Sequence, residues 1–133
     1  MSHVQLARDF FASQDRRHGG PDPALCTTDY QAWLGGWPPM PRDGHEQFAQ
    51  AFYAGFPDIH HTVDDVFAAD DRVAVRFVLT GSHTGSFMGI APSGRSVSVV
   101  TNVLMRVVDG KVADLRGIFD EAGLLRQIGV LPG

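Results

Sequence analysis

The spacing of apolar residues divides the chain into a helical first part and a strand-forming second part. Apolar side chains recur every three or four positions between Val4 and Phe11, which predicts an amphipathic helix over residues 2–14. Beyond Pro57 the apolar repeat shortens to about two residues, which is the period of a β-strand. The order of the two patterns predicts helices first and a sheet afterwards.

Two further segments of the first part have helical character. Residues 23–33 predict a short helix, and the prolines and glycines of residues 35–41 predict an irregular loop after it. Asp43, followed three residues later by Glu46, resembles a capping box. This pattern places a second long helix at residues 44–55.

Four strand-like segments follow, and the alternation is clearest in the middle two. Residues 72–80 place valine, phenylalanine and leucine on one face and mostly polar side chains on the other, and residues 97–106 do the same. Residues 59–68 and 112–119 supply the other two strands, with Asp-Asp and Asp-Gly pairs as tight turns between neighbours. Residues 81–94 form a wider connection.

This order of elements predicts an α+β fold, in which the N-terminal helices pack on a strongly curved, mostly antiparallel sheet. The length of 133 residues fits one domain over residues 1–133. A curved sheet covered by helices leaves a cavity at its open end. We expect a ligand to bind in that cavity.

Composition and charge narrow the classes of partner. Hydrophobic residues make up 44% of the chain and charged residues 20%, which is typical of a packed soluble protein. The net charge is −4 and the 11 Lys and Arg residues are scattered, so neither nucleic acid nor an anionic membrane is an expected partner. Cys26 is the one cysteine, which excludes an intrachain disulfide. No signal-peptide pattern or bilayer-spanning stretch is found, which predicts a cytoplasmic protein.

Two stretches of the second part carry a family resemblance. They are GFPDIHHTVDDVFAADDRVAVRFVLTGSHTGSFMGIAPSGR at residues 55–95 and VLMRVVDGKVADLRGIFDEAGLLRQIG at residues 103–129. They include a Gly-x-His-x-Gly turn, an Asp-Gly-Lys hairpin and a Gly-Leu-Leu-Arg-Gln run that starts at Gly123. Over about the last three fifths of its length, the chain resembles the SnoaL-like proteins of the nuclear-transport-factor-2-like superfamily.

That resemblance implies a cone-shaped α+β barrel with a deep pocket, usually dimeric through the outer face of the sheet. The best-known members are polyketide cyclases that close a ring by an intramolecular aldol reaction. They use an Asp as general acid/base, with a nearby His and without metal or cofactor. The corresponding positions here hold Gly117 and Val103, which have no proton to exchange. The resemblance therefore predicts an apolar pocket that lacks the usual acid/base pair.

Two polar residues are candidates for the missing chemistry. His83 shares the strand parity of Phe77 and Leu79, and histidine titrates near neutrality, so it suits a general base. A hydrogen bond to the loop backbone is the alternative role for this side chain. Asp120 lies where a helix N-cap belongs, so it is either a structural cap or an acid at the pocket mouth.

Ligand contacts are expected from three parts of the chain. Tyr30, Trp33 and Trp37 lie in the segment that, by the resemblance, closes over the pocket mouth, where aromatic rings with a polar tip can stack on a planar ligand. Phe87 and Met88 suit a flexible rim. Plain core packing is the alternative for all five. The floor of the pocket is expected from Val103, Gly117 and Phe119.

The histidines of the first strand do not form a metal centre, and the arginines of the sheet belong to its other face. His60 and His61 point to opposite faces of one strand, so at most one of them reaches the pocket, and no third ligand stands at metal spacing nearby. Arg76, Arg106 and Arg116 fall on the less apolar face of the sheet. We expect this face to be an outer surface or the contact of a homodimer.

Three functions are compatible with these observations. The first is a cofactor-independent cyclase or isomerase that acts on a hydrophobic, polyketide-like or terpenoid-like substrate through His83 and Asp120. The second is a non-catalytic binding or accessory protein that keeps the pocket. The third is a domain that uses its outer sheet face to pair with another protein.

Overall fold

A computed structural model describes residues 1–132, so that only Gly133, the last residue of the predicted domain, lies outside the described residues. In this part of the chain three α-helices pack on a six-stranded mixed sheet. The helices are α1 (His3–Arg17), α2 (Arg42–Gly55) and α3 (Glu121–Gln127). The strands are β1 (Cys26–Leu34), β2 (Met40–Pro41), β3 (His60–Ala69), β4 (Arg72–Ser82), β5 (Ser96–Val108) and β6 (Lys111–Phe119).

The sheet is antiparallel except at one strand pair. Its order is β2-β1-β6-β5-β4-β3, and β1 runs parallel to β6 while every other neighbouring pair is antiparallel. The predicted hairpin turns are present, with Asp70 at φ 53° and Asp109 at φ 51°. Asp and Asn tolerate this left-handed conformation better than other side chains do. The mostly antiparallel arrangement was predicted correctly.

The prediction of a short helix at residues 23–33 is wrong. Only Pro23–Leu25 forms a single 3₁₀ turn, in which the backbone N–H of Ala24 donates to the side chain of Asp22. The chain then enters β1, which buries Tyr30 and Ala32 on the inner face. Its main partner is β6, about 80 residues further along the chain, so local sequence gave no sign of the pairing.

The predicted capping box at the start of α2 is also wrong. The helix begins at Arg42, and no side chain caps it. Glu46 instead accepts a hydrogen bond from the backbone N–H of Gly20 at 2.9 Å and forms an ion pair with Arg17 at 3.0 Å. The carboxylate therefore joins the start of α2 to the end of α1 rather than closing its own helix.

The apolar faces of the helices meet the inner face of the sheet in two clusters. α1 buries Leu6, Ala7, Phe10 and Phe11 against the strands and is capped at its start by Ser2. A second cluster joins the end of α2, the loop before β5 and α3. Burial of these side chains is the main favourable term in folding.

None of the helices in residues 1–132 combines the length and the apolar character that crossing a lipid bilayer requires.

Candidate functional site

A cavity of about 90 Å³ lies between the inner face of the sheet and the helices. Its walls are mostly aliphatic and aromatic side chains from all three helices and from strands β1, β4, β5 and β6. The polar residues that line it are Gln14, His45, Tyr53, His61 and Thr101. Apolar walls with a few inward polar groups are usual in small-molecule sites, which commonly enclose roughly 300 Å³ or more, so a bicyclic ligand must spread these walls or extend beyond them.

The most prominent polar group at the cavity is a pair formed by Asp15 and His61. Asp15 lies in the last turn of α1, and His61 lies at the start of β3, where the two elements pack together. Nδ1 of His61 is 2.6 Å from Oδ1 of Asp15, and the backbone N–H of His61 donates to Oδ2 at 3.0 Å. Because two bonds hold one carboxylate against one residue, the orientation of the imidazole ring is fixed.

Two other side chains complete the surroundings of this carboxylate. The hydroxyl of Tyr53 donates to Oδ1 of Asp15 at 3.0 Å, and Nδ1 of the exposed His60 is 3.1 Å from Oδ2. Burial by itself would raise the pKa of Asp15, but the hydrogen bonds from His61 and Tyr53 outweigh burial, and the pKa is lowered. Asp15 is therefore a carboxylate at neutral pH.

Across residues 1–132, no three His, Cys, Asp or Glu side chains are grouped to hold a metal ion.

The ring of His61 is held between two aromatic side chains. Its centroid is 5.7 Å from that of Phe11 and 5.0 Å from that of Phe77, and the side chain is only 6% exposed. Since Nδ1 is bonded to Asp15, Nε2 is the nitrogen left for a ligand in the cavity that His61 lines. An imidazole oriented by a carboxylate is the arrangement of a general base.

A second histidine reaches the cavity from α2. Nδ1 of His45 is 2.9 Å from the hydroxyl of Tyr30, and the two rings are nearly parallel, with planes 7° apart. Burial lowers the pKa of His45 to about 4; the nearby carboxylate of Glu46 opposes this lowering, and His61 and Arg42 add smaller lowering effects. His45 is therefore an uncharged imidazole at neutral pH.

The structure places His83 away from the cavity. Its ring is fully buried, stacks on Phe56 with centroids 5.1 Å apart, and does not line the cavity. Nδ1 accepts the backbone N–H of Ser93 at 3.1 Å and lies 2.9 Å from the Ser93 hydroxyl. This is the hydrogen-bonded loop position that the sequence left open as the alternative to a catalytic base.

Asp120 occupies the N-cap position of α3. Its side chain accepts the backbone N–H of Gly123 at 2.8 Å, as expected of a helix cap. Asp120 does not line the cavity, although Phe119 before it and Leu124 after it in the sequence do. The two candidates for acid/base chemistry, His83 and Asp120, are therefore not brought together at the cavity.

The three aromatic residues expected at the pocket mouth lie in different places. Trp33 is on the outer face of the sheet, where the guanidinium of Arg116 lies 4.9 Å from its ring centroid. Trp37 is 40% exposed and packs edge-on against Phe48, a residue of the cavity wall. Tyr30 is buried behind the wall and reaches the cavity only through His45. Only Trp37 is positioned near the rim.

Phe87 and Met88, which were expected at the rim of the pocket, belong to the loop between β4 and β5. Phe87 is buried against Phe52 and Phe56, and Met88 is 47% exposed. Neither lines the cavity. Gly85 lets this loop lie on α2, because a Cβ there would stand 2.0 Å from the carbonyl oxygen of Ala54. The packing thus fixes the loop against the helix end.

The predicted floor residues are found on the inner face of β5 and β6. Val103 and Phe119 line the cavity. Gly117 does not widen it, because a Cβ at this position would lie 2.8 Å from Cγ1 of Val103 and 3.2 Å from Cδ2 of Leu34. The space that a side chain would need at Gly117 is therefore already filled by these two neighbours.

Sequence reasoning missed Asp15, His45 and Tyr53 as site residues. Strand parity did show that at most one of His60 and His61 faces the pocket, and the structure selects His61. A stricter use of helical periodicity would have found the others. Asp15 is four residues beyond Phe11 on α1, and His45, Ala49 and Tyr53 repeat every four residues on the buried face of α2.

The chain is similar to known proteins in both sequence and structure. The family described as SnoaL-like polyketide cyclase matches residues 6–128. The nogalonic acid methyl ester cyclase of Streptomyces nogalater is 44% identical over 57 residues, which are 43% of this chain and 42% of that protein. The matched segments span about two fifths of the length of the first curated relatives.

Two solved structures from Streptomyces are similar over nearly the whole chain. AclR of Streptomyces galilaeus has a TM-score of 0.85 at 27% identity, covering 97% of this chain and 85% of that one. IdmH of Streptomyces antibioticus has a TM-score of 0.83 at 28% identity, covering 95% of this chain and 97% of that one. The predicted α+β fold is thereby confirmed.

Proposed function

Because the chain belongs to the SnoaL-like polyketide cyclase family, we propose that it binds an apolar small molecule in the cavity and rearranges it by cofactor-free acid/base chemistry, as a cyclase or isomerase. The observation that carries this proposal is the Asp15–His61 pair at the wall of an apolar cavity. Polyketide-like and terpenoid-like compounds have the apolar character that such walls accept.

The reaction step assigned to this pair is the removal of a proton. With Nδ1–H of His61 donated to Asp15, the lone pair of Nε2 is free to accept a proton from a bound substrate. The imidazolium that forms is stabilised by the neighbouring carboxylate, which stays ionised. Return of the proton to another atom of the substrate gives an isomer. In a ring closure, the carbanion left by proton removal attacks a second carbonyl carbon of the substrate, the π pair of that carbonyl group moves onto its oxygen, and Nε2 returns the proton to this oxygen.

The surroundings of His61 favour this step. Phe11 and Phe77 enclose the ring and keep water from it, so the attraction between imidazolium and carboxylate acts in a medium of low polarity. Tyr53 holds the carboxylate from α2 while His61 holds it from β3. A base anchored on two sides keeps its orientation toward a bound substrate.

This assignment moves the proposed base from His83 to His61. His83 and Asp120 are engaged in a loop contact and a helix cap, and neither lines the cavity. The positions that resemble the acid/base pair of the family hold Val103 and Gly117 on β5 and β6. The Asp15–His61 pair approaches the cavity from α1 and β3 and would supply the proton transfer from there.

An assay with a simple model ketone tests the proposal without knowledge of the natural substrate. We expect the protein to accelerate exchange of the α-hydrogens of 2-tetralone, an apolar bicyclic ketone, for deuterium in D₂O, as followed by proton NMR. His61→Gln should slow the exchange by about 100-fold or more, since a positioned general base contributes roughly 10² to 10⁴. Asp15→Asn should slow it as well, because Nδ1–H would lose its charged acceptor.

Two control variants accompany this assay. His3→Gln removes a histidine at the start of α1, outside the cavity lining, and should leave the rate unchanged. His83→Gln discriminates the two histidines. Exchange that survived His61→Gln but was lost in folded His83→Gln would overturn the assignment, as would bound 2-tetralone that exchanged at the solvent rate.

A non-catalytic ligand-binding protein is the second candidate function. It is favoured by Val103 and Gly117, which offer no group for proton transfer at the positions that resemble the family's acid/base pair. Native mass spectrometry after prolonged incubation with a hydrophobic ligand would distinguish the two functions. Recovery of unchanged ligand from a protein that also fails the exchange assay would favour a carrier.

A further inference from the structure

The pair formed by His45 and Tyr30 is a second hydrogen-bonded polar pair at the cavity. His45 is 5% exposed and lines the cavity from α2, while Tyr30 stands behind it on β1 and is 1% exposed. Their one hydrogen bond joins the Tyr30 hydroxyl to Nδ1 of His45 at 2.9 Å. The group that His45 presents to the cavity depends on which of the two side chains donates this hydrogen bond.

The burial of Tyr30 decides the direction of this hydrogen bond. If Nδ1–H of His45 donated, the phenolic O–H would be left in the core without an acceptor, which is costly. If the O–H donates, both groups are satisfied, and the imidazole proton must sit on Nε2. His45 therefore presents an N–H donor to the cavity.

His61 has the opposite arrangement. Its Nδ1 faces the carboxylate of Asp15, which can only accept, so Nδ1 carries a proton and the lone pair of the uncharged ring is on Nε2. Two imidazoles thus line one cavity, His45 as a hydrogen-bond donor and His61 as a base. The difference comes from the residue behind each ring.

Resting on the proposed function, we propose that His45 is a second catalytic residue, which donates its Nε2–H to the substrate oxygen that becomes negative while His61 removes the proton. Nε2 of His61 takes the proton from a carbon next to a carbonyl group. The electron pair of that C–H bond forms a C=C bond, and the C=O pair moves onto the oxygen as an enolate. The reverse movement, at the same or another carbon, returns the proton from His61.

The charge state of His45 supports this division of roles. Burial lowers the pKa of His45 to about 4, and the groups facing it are Arg42 and Glu46 on α2, His61 on β3 and Tyr30 on β1. A neutral donor adds no second cation beside the imidazolium that forms on His61. It also cannot transfer its proton easily, so it stabilises the enolate without ending the reaction early.

The N–H donor of His45 and the base of His61 together define the class of substrate. A molecule that uses both groups must be largely apolar and must carry a carbonyl oxygen two bonds from an acidic C–H. Tyr30 is a positioning residue, because it orients His45 and fixes its proton on Nε2 without touching the substrate. A substrate without a carbonyl group would leave the His45 donor without a partner.

The tautomer can be tested without any reaction. Long-range ¹H–¹⁵N spectra of histidine-labelled protein at pH 7 should show His45 neutral with its proton on Nε2, and His61 with a proton on Nδ1, where it is bonded to Asp15. The signals are assigned by their loss in His45→Gln and His61→Gln. Tyr30→Phe should remove the preference of His45 for Nε2–H. A His45 proton on Nδ1, or a charged His45 ring at pH 7, would overturn the inference.

The donor role is tested with bound 2-tetralone in two matched variants. His45→Gln keeps an N–H donor near the position of Nε2, whereas His45→Leu removes it. The infrared carbonyl stretch of the bound ketone should lie at lower frequency in wild type and His45→Gln than in His45→Leu. Deuterium exchange should fall by about 100-fold in His45→Leu, the usual effect of removing one oxyanion donor, and by much less in His45→Gln.

The outcomes separate this inference from the proposed function. If His61→Gln abolishes exchange while His45→Leu keeps both the wild-type rate and the wild-type carbonyl frequency, only the role of His45 is wrong. If His61→Gln exchanges at the wild-type rate, the proposed function is wrong. The carbonyl frequency then still decides whether His45 donates to a bound oxygen.

Discussion

At the scale of single residues, the chemistry of this cavity depends on what stands behind each polar side chain. His45 is backed by a phenol and His61 by a carboxylate, and both rings are almost completely buried. Burying an ionisable group disfavours its charged form unless an opposite charge lies beside it. His61 has such a charge in Asp15, and His45 does not.

The burial of His45 predicts a loss of stability in mild acid. Its pKa is lowered from 6.5 to about 4, so below pH 6.5 the unfolded chain binds a proton that the folded protein does not bind. The free energy of unfolding should therefore fall by about 2 kcal/mol between pH 7.5 and pH 5, at about 1.4 kcal/mol per pH unit below 6.5. Urea unfolding followed by tryptophan fluorescence at these two pH values measures it.

Two variants make this prediction specific. His45→Gln should flatten the dependence, because the group that titrates differently in the two states is gone. His3→Gln removes a histidine at the start of α1 and should keep the full dependence. Equal losses in wild type and His45→Gln would show that another group is responsible. Asp15, whose pKa is lowered from 3.8, takes up its proton below this window.

At the scale of elements, the packing of β1, β5 and β6 explains why a glycine stands at position 117. The register sets Gly117 opposite Val103 on β5 and opposite Leu34 on β1. Both neighbours lean over the glycine, since a Cβ there would meet Val103 at 2.8 Å and Leu34 at 3.2 Å. The glycine is therefore part of the packing of three strands.

This packing predicts a coupled pair of substitutions. Gly117→Ala should lower the free energy of unfolding by roughly 1 to 3 kcal/mol, the usual cost of overpacking a core. Shortening the neighbour in the double variant Gly117→Ala with Val103→Ala should recover part of that loss, with a coupling of about 0.5 kcal/mol or more. Chemical denaturation of the two single variants and the double variant measures it, and strictly additive effects would contradict the clash.

The sequence was informative wherever a pattern was local. Strand alternation gave β4, β5 and β6 nearly as they stand, and helical spacing gave α1 and most of α2. β1 was mistaken for a helix because its partner is distant in the chain. The Asp15–His61 pair was invisible for the same reason, since 46 residues separate its members and only the packing of α1 on β3 joins them.

At the scale of the whole molecule, the outer face of the sheet carries exposed apolar side chains between its arginines. Ile118 on β6 is 73% exposed, and Leu104 and Val100 on β5 are 40% and 38% exposed. The strand register sets Ile118 opposite Asn102, with Val100 and Leu104 two residues to either side along β5. Leu104 lies opposite Arg116 of the Trp33–Arg116 stack. Contiguous exposed apolar patches mark interaction surfaces. We propose that this face joins two copies of the chain in a homodimer.

Substitution of the most exposed residue tests this assembly. Ile118→Glu puts a charge at the centre of the patch and should convert the dimer to monomer, because an unpaired charge cannot be buried cheaply. Val130→Glu makes the same change at an exposed position beyond α3 and should leave the dimer intact. Sedimentation velocity measures both. A wild-type protein that sediments as a monomer at high concentration would contradict the proposal.

The hydrogen bonds around Asp15 have a consequence for how this chain changes over time. The carboxylate fastens α1 to β3 through His61 and to α2 through Tyr53, so it serves the architecture at the same spot where it serves the base. Selection for folding alone would keep an acidic side chain there, even in a descendant that had ceased to turn over any compound. An aspartate retained at this junction is therefore evidence that α1, α2 and β3 still pack together, and only secondarily evidence of catalytic activity.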